Sequence, residues 1–177
     1  MITFESLLNH LCAYPRPIPG FILHTVKTAL HSQPLQDCVG KGGKEPLNIG
    51  LLEDNPAICD YITTALEMIG HHISVNTQGS PFLESLFPES GIASPLPYDL
   101  VLVDLLLPGS LSGLEVITRI RRVISAERLP IIIITAASEG YLEQVNKGFP
   151  DIPILPKPFQ LKTLVRMIEE MTVSKDL

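Results

Sequence analysis

The sequence predicts an α/β domain: a doubly wound sheet of five parallel strands with helices on both faces, preceded by an N-terminal helical extension. Three observations lead there. Apolar strand-like runs and amphipathic stretches alternate five times from residue 48 onward. Two of the runs, Leu100-Val-Leu-Val103 and Pro130-Ile-Ile-Ile-Ile134, are unbroken and rich in branched side chains, as suits strands buried on both faces. The runs also end on polar residues, where an open parallel sheet opens a crevice.

Residues 1 to 35 hold two short apolar stripes, Phe4, Leu7, Leu8, Leu11 and Ile22, Val26, Ala29, Leu30, split by Tyr14-Pro-Arg-Pro-Ile-Pro-Gly20. They read as two small helices. Gln36 to Pro46 is glycine-rich and nearly free of apolar side chains, so it reads as a linker, with residues 1–47 forming the extension. Strand one is Asn48 to Glu53. Helix one runs from Pro56 to Ile69, with Ile58, Ile62, Leu66 and Ile69 as its apolar stripe. Strand two is His72 to Asn76, and a weak helix near Pro81 to Leu86 leads into a Pro- and Ser-rich loop. Strand three is Leu100 to Val103, helix three Gly113 to Ser125, and strand four Pro130 to Ile134. Ser138 is placed to cap a fourth helix reaching Lys147. Strand five is Ile152 to Leu155, and Leu161, Leu164, Val165, Ile168 and Met171 stripe the closing helix. The domain spans 48–173, with a tail at 174–177.

Composition narrows the function. The 177 residues are 45% apolar and 18% charged, enough for one core plus an appendage. A net charge of -6 with scattered Lys and Arg argues against direct nucleic-acid binding, and Arg119, Arg121 and Arg122 read as a solvated helix face. No run reaches the roughly 18 apolar residues a membrane helix needs. Glu5 stands where a secretory signal would carry positive charge, so a cytoplasmic protein is expected. Cys12, Cys38 and Cys59 show no metal or CxxC spacing and read as reduced packing thiols.

Chemistry gathers at the strand ends. Strand one delivers Glu53 and Asp54, strand three Asp104, strand four Thr135 and strand five Lys157. Three carboxylates in one pocket repel unless a cation or protons compensate them. A hard divalent ion such as Mg²⁺, held by one or two carboxylates and several waters, answers that need. Asp54 and Asp104 would bind it directly and Glu53 through water, while Lys157 and the Thr135 hydroxyl would contact phosphoryl oxygens.

In that order, Glu53-Asp54, Asp104 with Pro108 four residues on, Thr135 and Lys157-Pro158-Phe159 resemble the motifs of a response-regulator receiver domain over about 125 residues. The resemblance implies a flavodoxin-like strand order 2-1-3-4-5. It also implies a phosphorelay switch in which Asp104 accepts phosphate from a histidine kinase or phosphotransfer protein. Mg²⁺ would be held by Asp54, Asp104 and the backbone carbonyl of Leu106. Thr135 and Ala136 would form the phosphoryl-binding and switch segment, and the Lys157-Pro158 peptide would be cis. The protein would be a phospho-acceptor rather than an enzyme.

Four departures from the family pattern qualify this. Ile154 replaces the usual switch aromatic three positions before the lysine. Gly113 stands nine rather than eight residues after the acceptor, which should bulge the loop without touching the strand end. Leu106 and Ala137 take the two positions that tune hydrolysis, and neither can hydrogen-bond a water through its side chain, so a long-lived phosphorylated form is expected. With no output module foreseen after the last helix, output would pass to a downstream protein partner. The expected surface is helix four, strand five and helix five, with Tyr141, Leu142 and Val145 exposed. The alternative is a phosphorylation-independent binding or homodimerisation module that uses residues 1 to 35. An aspartyl-phosphate phosphohydrolase would require an aspartate at Leu106.

Overall fold

The structure, a computed structural model, describes residues 45–172. The two N-terminal helices expected from the sequence, most of the linker, and the tail lie outside the described residues. The chain divides between Pro46 and Leu47.

Five strands form one parallel sheet in the order β2-β1-β3-β4-β5. They are β1 (Asn48–Leu52), β2 (His72–Asn76), β3 (Leu100–Val103), β4 (Ile131–Thr135) and β5 (Ile154–Pro156). The connecting helices are α1 (Pro56–Met68), α2 (Gly79–Leu86), α3 (Gly113–Arg121) and α4 (Glu139–Gly148), and α5 (Leu161–Thr172) closes the chain. Local chemistry explains where several begin. The Asn55 side chain accepts hydrogen bonds from Ala57 and Ile58 N–H with Pro56 at the first turn, and Ser112 with Glu115 forms a reciprocal capping box on α3.

The strands bury both faces, as their unbroken apolar runs require. Leu52, Val101, Val103, Ile131 and Ile133 share a core with Phe82, Leu86, Val116, Ile117, Ile120 and Val145, so α2, α3 and α4 cover that side. Ile49, Leu51, Leu100, Leu102, Ile132 and Ile134 alternate with them and are likewise buried. Their side is covered by α1 and α5, which touch each other and bury Ile62, Leu66, Leu164 and Ile168.

Several sequence expectations change at element ends. Helix α3 stops at Arg121 rather than Ser125, although Ile124 N–H still bonds the Ile120 carbonyl, so one looser turn follows. Strand β5 begins at Ile154, because Pro153 has no N–H to donate. Ser138 occupies the N-cap of α4 without making a side-chain cap bond. Ile69, expected on the buried stripe of helix one, is exposed at the helix C-cap, and in the turn after α3 Val123 is exposed while Ile124 is buried. Val145 is 3% exposed rather than displayed for a partner, and Tyr141 and Leu142 pack partly buried against the same core. Arg121 is not solvated: its side chain is 12% exposed, donates to the Leu129 carbonyl at 2.9 Å and faces Asp151 at 3.8 Å.

Candidate phosphoryl-acceptor site

The register of β1 and β3 places Leu52 beside Val103, so the residues that follow both strands emerge side by side. Asp104 N–H bonds the Leu52 carbonyl at 2.9 Å, and Glu53 N–H bonds the Asn76 carbonyl at 3.0 Å. Backbone bonds thus fix Asp104 and the acidic pair before any side chain acts. Glu53, Asp54 and Asp104 each present one carboxylate oxygen, and these lie within 4.8 Å of one another.

The three acids differ in setting. Glu53 is 1% exposed and has both oxygens engaged, Oε1 by Asn55 N–H at 3.1 Å and Oε2 by Lys157 Nζ at 2.5 Å. Burial pushes its pKa up, against the lowering pull of the Lys157 ammonium and the Asn55 N–H, and Asp104 adds to the rise. Asp104 is 6% exposed; Oδ1 accepts from Leu106 N–H at 2.9 Å and Oδ2 from Lys157 Nζ at 2.6 Å. Asp54 is exposed and lines a cleft of about 400 Å³ with Thr77, Gln78, Ser80, Pro108 and Ser110 among others.

Lys157 reaches this pocket from the far side of the sheet. Its N–H bonds the Thr135 carbonyl at 2.8 Å, continuing the β4–β5 ladder, and the Lys157–Pro158 peptide is cis. One ammonium therefore bridges Glu53 and Asp104. The sequence placed Lys157 in the pocket but not on Glu53, because two residues 104 positions apart leave no local trace of their pairing. Thr135 is fully buried at the end of β4, and its Oγ1 accepts from Ala137 N–H at 3.3 Å. No hydrogen bond joins Thr135 to the acids among the described residues. Ala136 is exposed beside it, Ile154 is partly buried against the core, and Leu106 is 53% exposed.

Sequence reasoning missed a backbone contact here. A Cβ on Gly113 would collide with the carbonyl oxygen of Asp104, and its N–H bonds the Leu105 carbonyl at 3.3 Å. Helix α3 therefore starts in van der Waals contact with the main chain of Asp104, an approach that only glycine permits. The β3–α3 loop is exposed at Pro108-Gly109-Ser110, where Gly109 has φ +108°.

The donor set suits a hard divalent cation: all three side chains offer carboxylate oxygen, and among the described residues Asp54 has no ion pair, Lys157 being spent on Glu53 and Asp104. Nitrogen- or sulfur-preferring metals find no ligand in this cluster; the nearby Cys59 thiol bonds the Glu53 carbonyl, and its pKa is raised to about 11 by burial and by Glu53, Asp60 and Asp54.

Comparison with known proteins agrees with this geometry. The response regulator receiver domain family matches residues 49–169. The response regulator ArlR of Staphylococcus saprophyticus is 31% identical over 121 residues, covering 68% of this chain and 50% of that protein. The response regulator receiver protein CpdR of Brucella abortus is 29% identical over 124 residues, covering 70% of this chain and 95% of that protein. The signal receiver domain of a modulated diguanylate cyclase from Desulfovibrio desulfuricans superposes with a TM-score of 0.61 at 27% identity, covering 74% of this chain and 97% of that one. The chain spans about half the length of the ArlR proteins it matches. With strand order, acid cluster and family match in agreement, the chain belongs to the response regulator receiver family.

Proposed function

We propose that this protein is a phospho-accepting switch of a two-component phosphorelay, with Asp104 as acceptor. The observation that carries the reading is the buried Asp104 carboxylate, held between Lys157 Nζ and Leu106 N–H next to two further acids. In the transfer, an Asp104 oxygen forms a bond to phosphorus while the phosphorus–nitrogen bond of a donor phosphohistidine breaks, and the imidazole leaves with the electron pair. Lys157 then exchanges an Asp104 oxygen for a phosphoryl oxygen, staying anchored to Glu53. The Thr135 hydroxyl gives up Ala137 N–H and turns toward the phosphoryl group. A Mg²⁺ bound by Asp54, Asp104 and the Leu106 carbonyl would neutralise charge on the transferring group. Glu53 is assigned the positioning of Lys157, and contact with the metal only through water.

Output passes through contacts with a downstream protein, because added charge at Asp104 biases the loops that carry Leu106 and Ala137. Neither of those side chains can orient a water, which supports a long-lived phosphorylated form; decay within seconds would overturn that part. The partners in this reading are a histidine kinase or phosphotransfer protein, a downstream target and, in a homodimer, a second copy of the chain. A second reading, a binding module independent of phosphorylation, draws on Ile154, which packs on the core instead of supplying a mobile ring.

Treating the full chain with Mg²⁺ and acetyl phosphate and measuring intact mass separates the two readings. Wild type should gain one phosphoryl group and Asp104→Asn none. No uptake by wild type would sink the switch reading and leave the binding module.

A further inference from the structure

Basic side chains are outnumbered in this chain, 13 to 19, yet Arg119, Arg121, Arg122 and Arg128 crowd into the end of α3 and the turn after it. Arg121 is consumed structurally, through the Leu129 carbonyl and Asp151. Arg119, Arg122 and Arg128 are exposed and make no ion pair among the described residues. Arg122 N–H bonds the Thr118 carbonyl and Ile124 N–H the Ile120 carbonyl, so helical spacing persists past Arg121. Arg119, Arg122 and Val123 therefore share one face, at i, i+3 and i+4, and Val123 is 51% exposed. The Arg121–Leu129 bond, with Leu129 N–H on the Ser125 carbonyl, folds residues 125–129 back to this end of α3 and brings Arg128 with them.

We propose that this end of α3 is a docking surface for a short acidic segment of a protein partner, one that carries an apolar residue among its carboxylates. Charge complementarity identifies the occupant. Guanidinium forks bind carboxylates in bidentate fashion, and Val123 offers an apolar contact on the same face. Among the described residues no acid forms an ion pair with these three arginines; Glu115, one turn before Arg119, spends its carboxylate on the Ser112 capping box, and Arg119 only adds to the lowering of its pKa that the Ser112 bonds produce. A nucleic acid fits less well, since a long polyanion would run past Glu127 and Asp151 into a chain of net charge -6, whereas a short segment ends within the patch. The surface lies at the opposite end of α3 from Gly113 and Asp104, so it stands apart from the phospho-acceptor reading.

The test uses the full chain and a fluorescein-labelled peptide of alternating Glu and Leu, read by anisotropy across a salt series. Wild type should bind it, with affinity falling as salt rises. The triple variant Arg119→Gln, Arg122→Gln, Arg128→Gln should weaken binding tenfold or more with an unchanged circular dichroism spectrum, and Val123→Ser should weaken it several-fold. Arg166→Gln should leave it unchanged. Backbone amide shifts on adding the peptide should concentrate in residues 119–128, which keeps the assignment testable even if the triple variant folds poorly. Equal binding by a folded triple variant, shifts centred elsewhere, or tighter binding of an oligouridylate of matched charge would each overturn the proposal.

Discussion

Lys157 and Arg121 are both basic, and both side chains are 12% exposed, yet they sit at opposite ends of the sheet in opposite circumstances. Lys157 has two carboxylates at 2.5 and 2.6 Å. Arg121 has one carbonyl, a distant Asp151 and an Nε with no hydrogen-bond partner, and burial lowers its pKa. The cation at the carboxyl ends of the strands is held by two carboxylates, and in the proposed switch a phosphoryl oxygen would replace one of them. The cation at the amino ends packs its stem and ties two loops, and nothing there can be exchanged. Burial alone therefore does not mark a functional charge; its partners do.

The widest separation between the two should come from Lys157→Met and Arg121→Met. Lys157→Met is expected to slow phosphoryl uptake by about 10²–10³-fold, the scale of losing one charge-stabilising donor, in a time course of intact mass. A loss below tenfold would make Lys157 a structural cation like Arg121. Gly113→Ala, at the head of the helix that joins the two regions, should cost about 1–3 kcal/mol in urea unfolding and also slow uptake, since the Asp104 backbone must move. Unaltered uptake in a destabilised variant would separate helix packing from acceptor geometry. Arg121→Met keeps the apolar stem and removes a poorly paired charge, so stability should change by less than about 1.5 kcal/mol with uptake intact. The smallest effect concerns Glu53. Its pKa is raised in the fold, so its contribution to stability is complete below its ordinary value of 4.5 and fades as pH climbs through the raised value. Glu53→Gln should lack that decline, visible as a thermal midpoint difference between variant and wild type that grows as pH rises.

Much of the fold was legible because long apolar runs leave few alternatives. Leu100 to Val103 and His72 to Asn76 matched their strands residue for residue. Helix ends were less legible: Ile69 keeps the apolar period at the C-cap of α1 yet is exposed, and beyond α3 the apolar Val123 faces out while Ile124 faces the core. The strand-end rule brought Glu53, Asp54, Asp104, Thr135 and Lys157 to one end of the sheet. It could not distribute the contacts among them: that Glu53 holds Lys157, that Thr135 faces Ala137, or that Arg121 turns inward depends on side-chain packing across distant segments.

The contact of Gly113 with the Asp104 main chain also says where this molecule can grow. With α3 clamped to Asp104 at one end of the β3–α3 loop and Leu106 N–H tied to Asp104 at the other, added length is best placed between them. The exposed turn at Gly109 lies there, where a Cβ would meet nothing within 4 Å. A reporter peptide or spectroscopic probe spliced in after Gly109 would sit at the cleft lined by Asp54 while leaving the Asp104 scaffold in register.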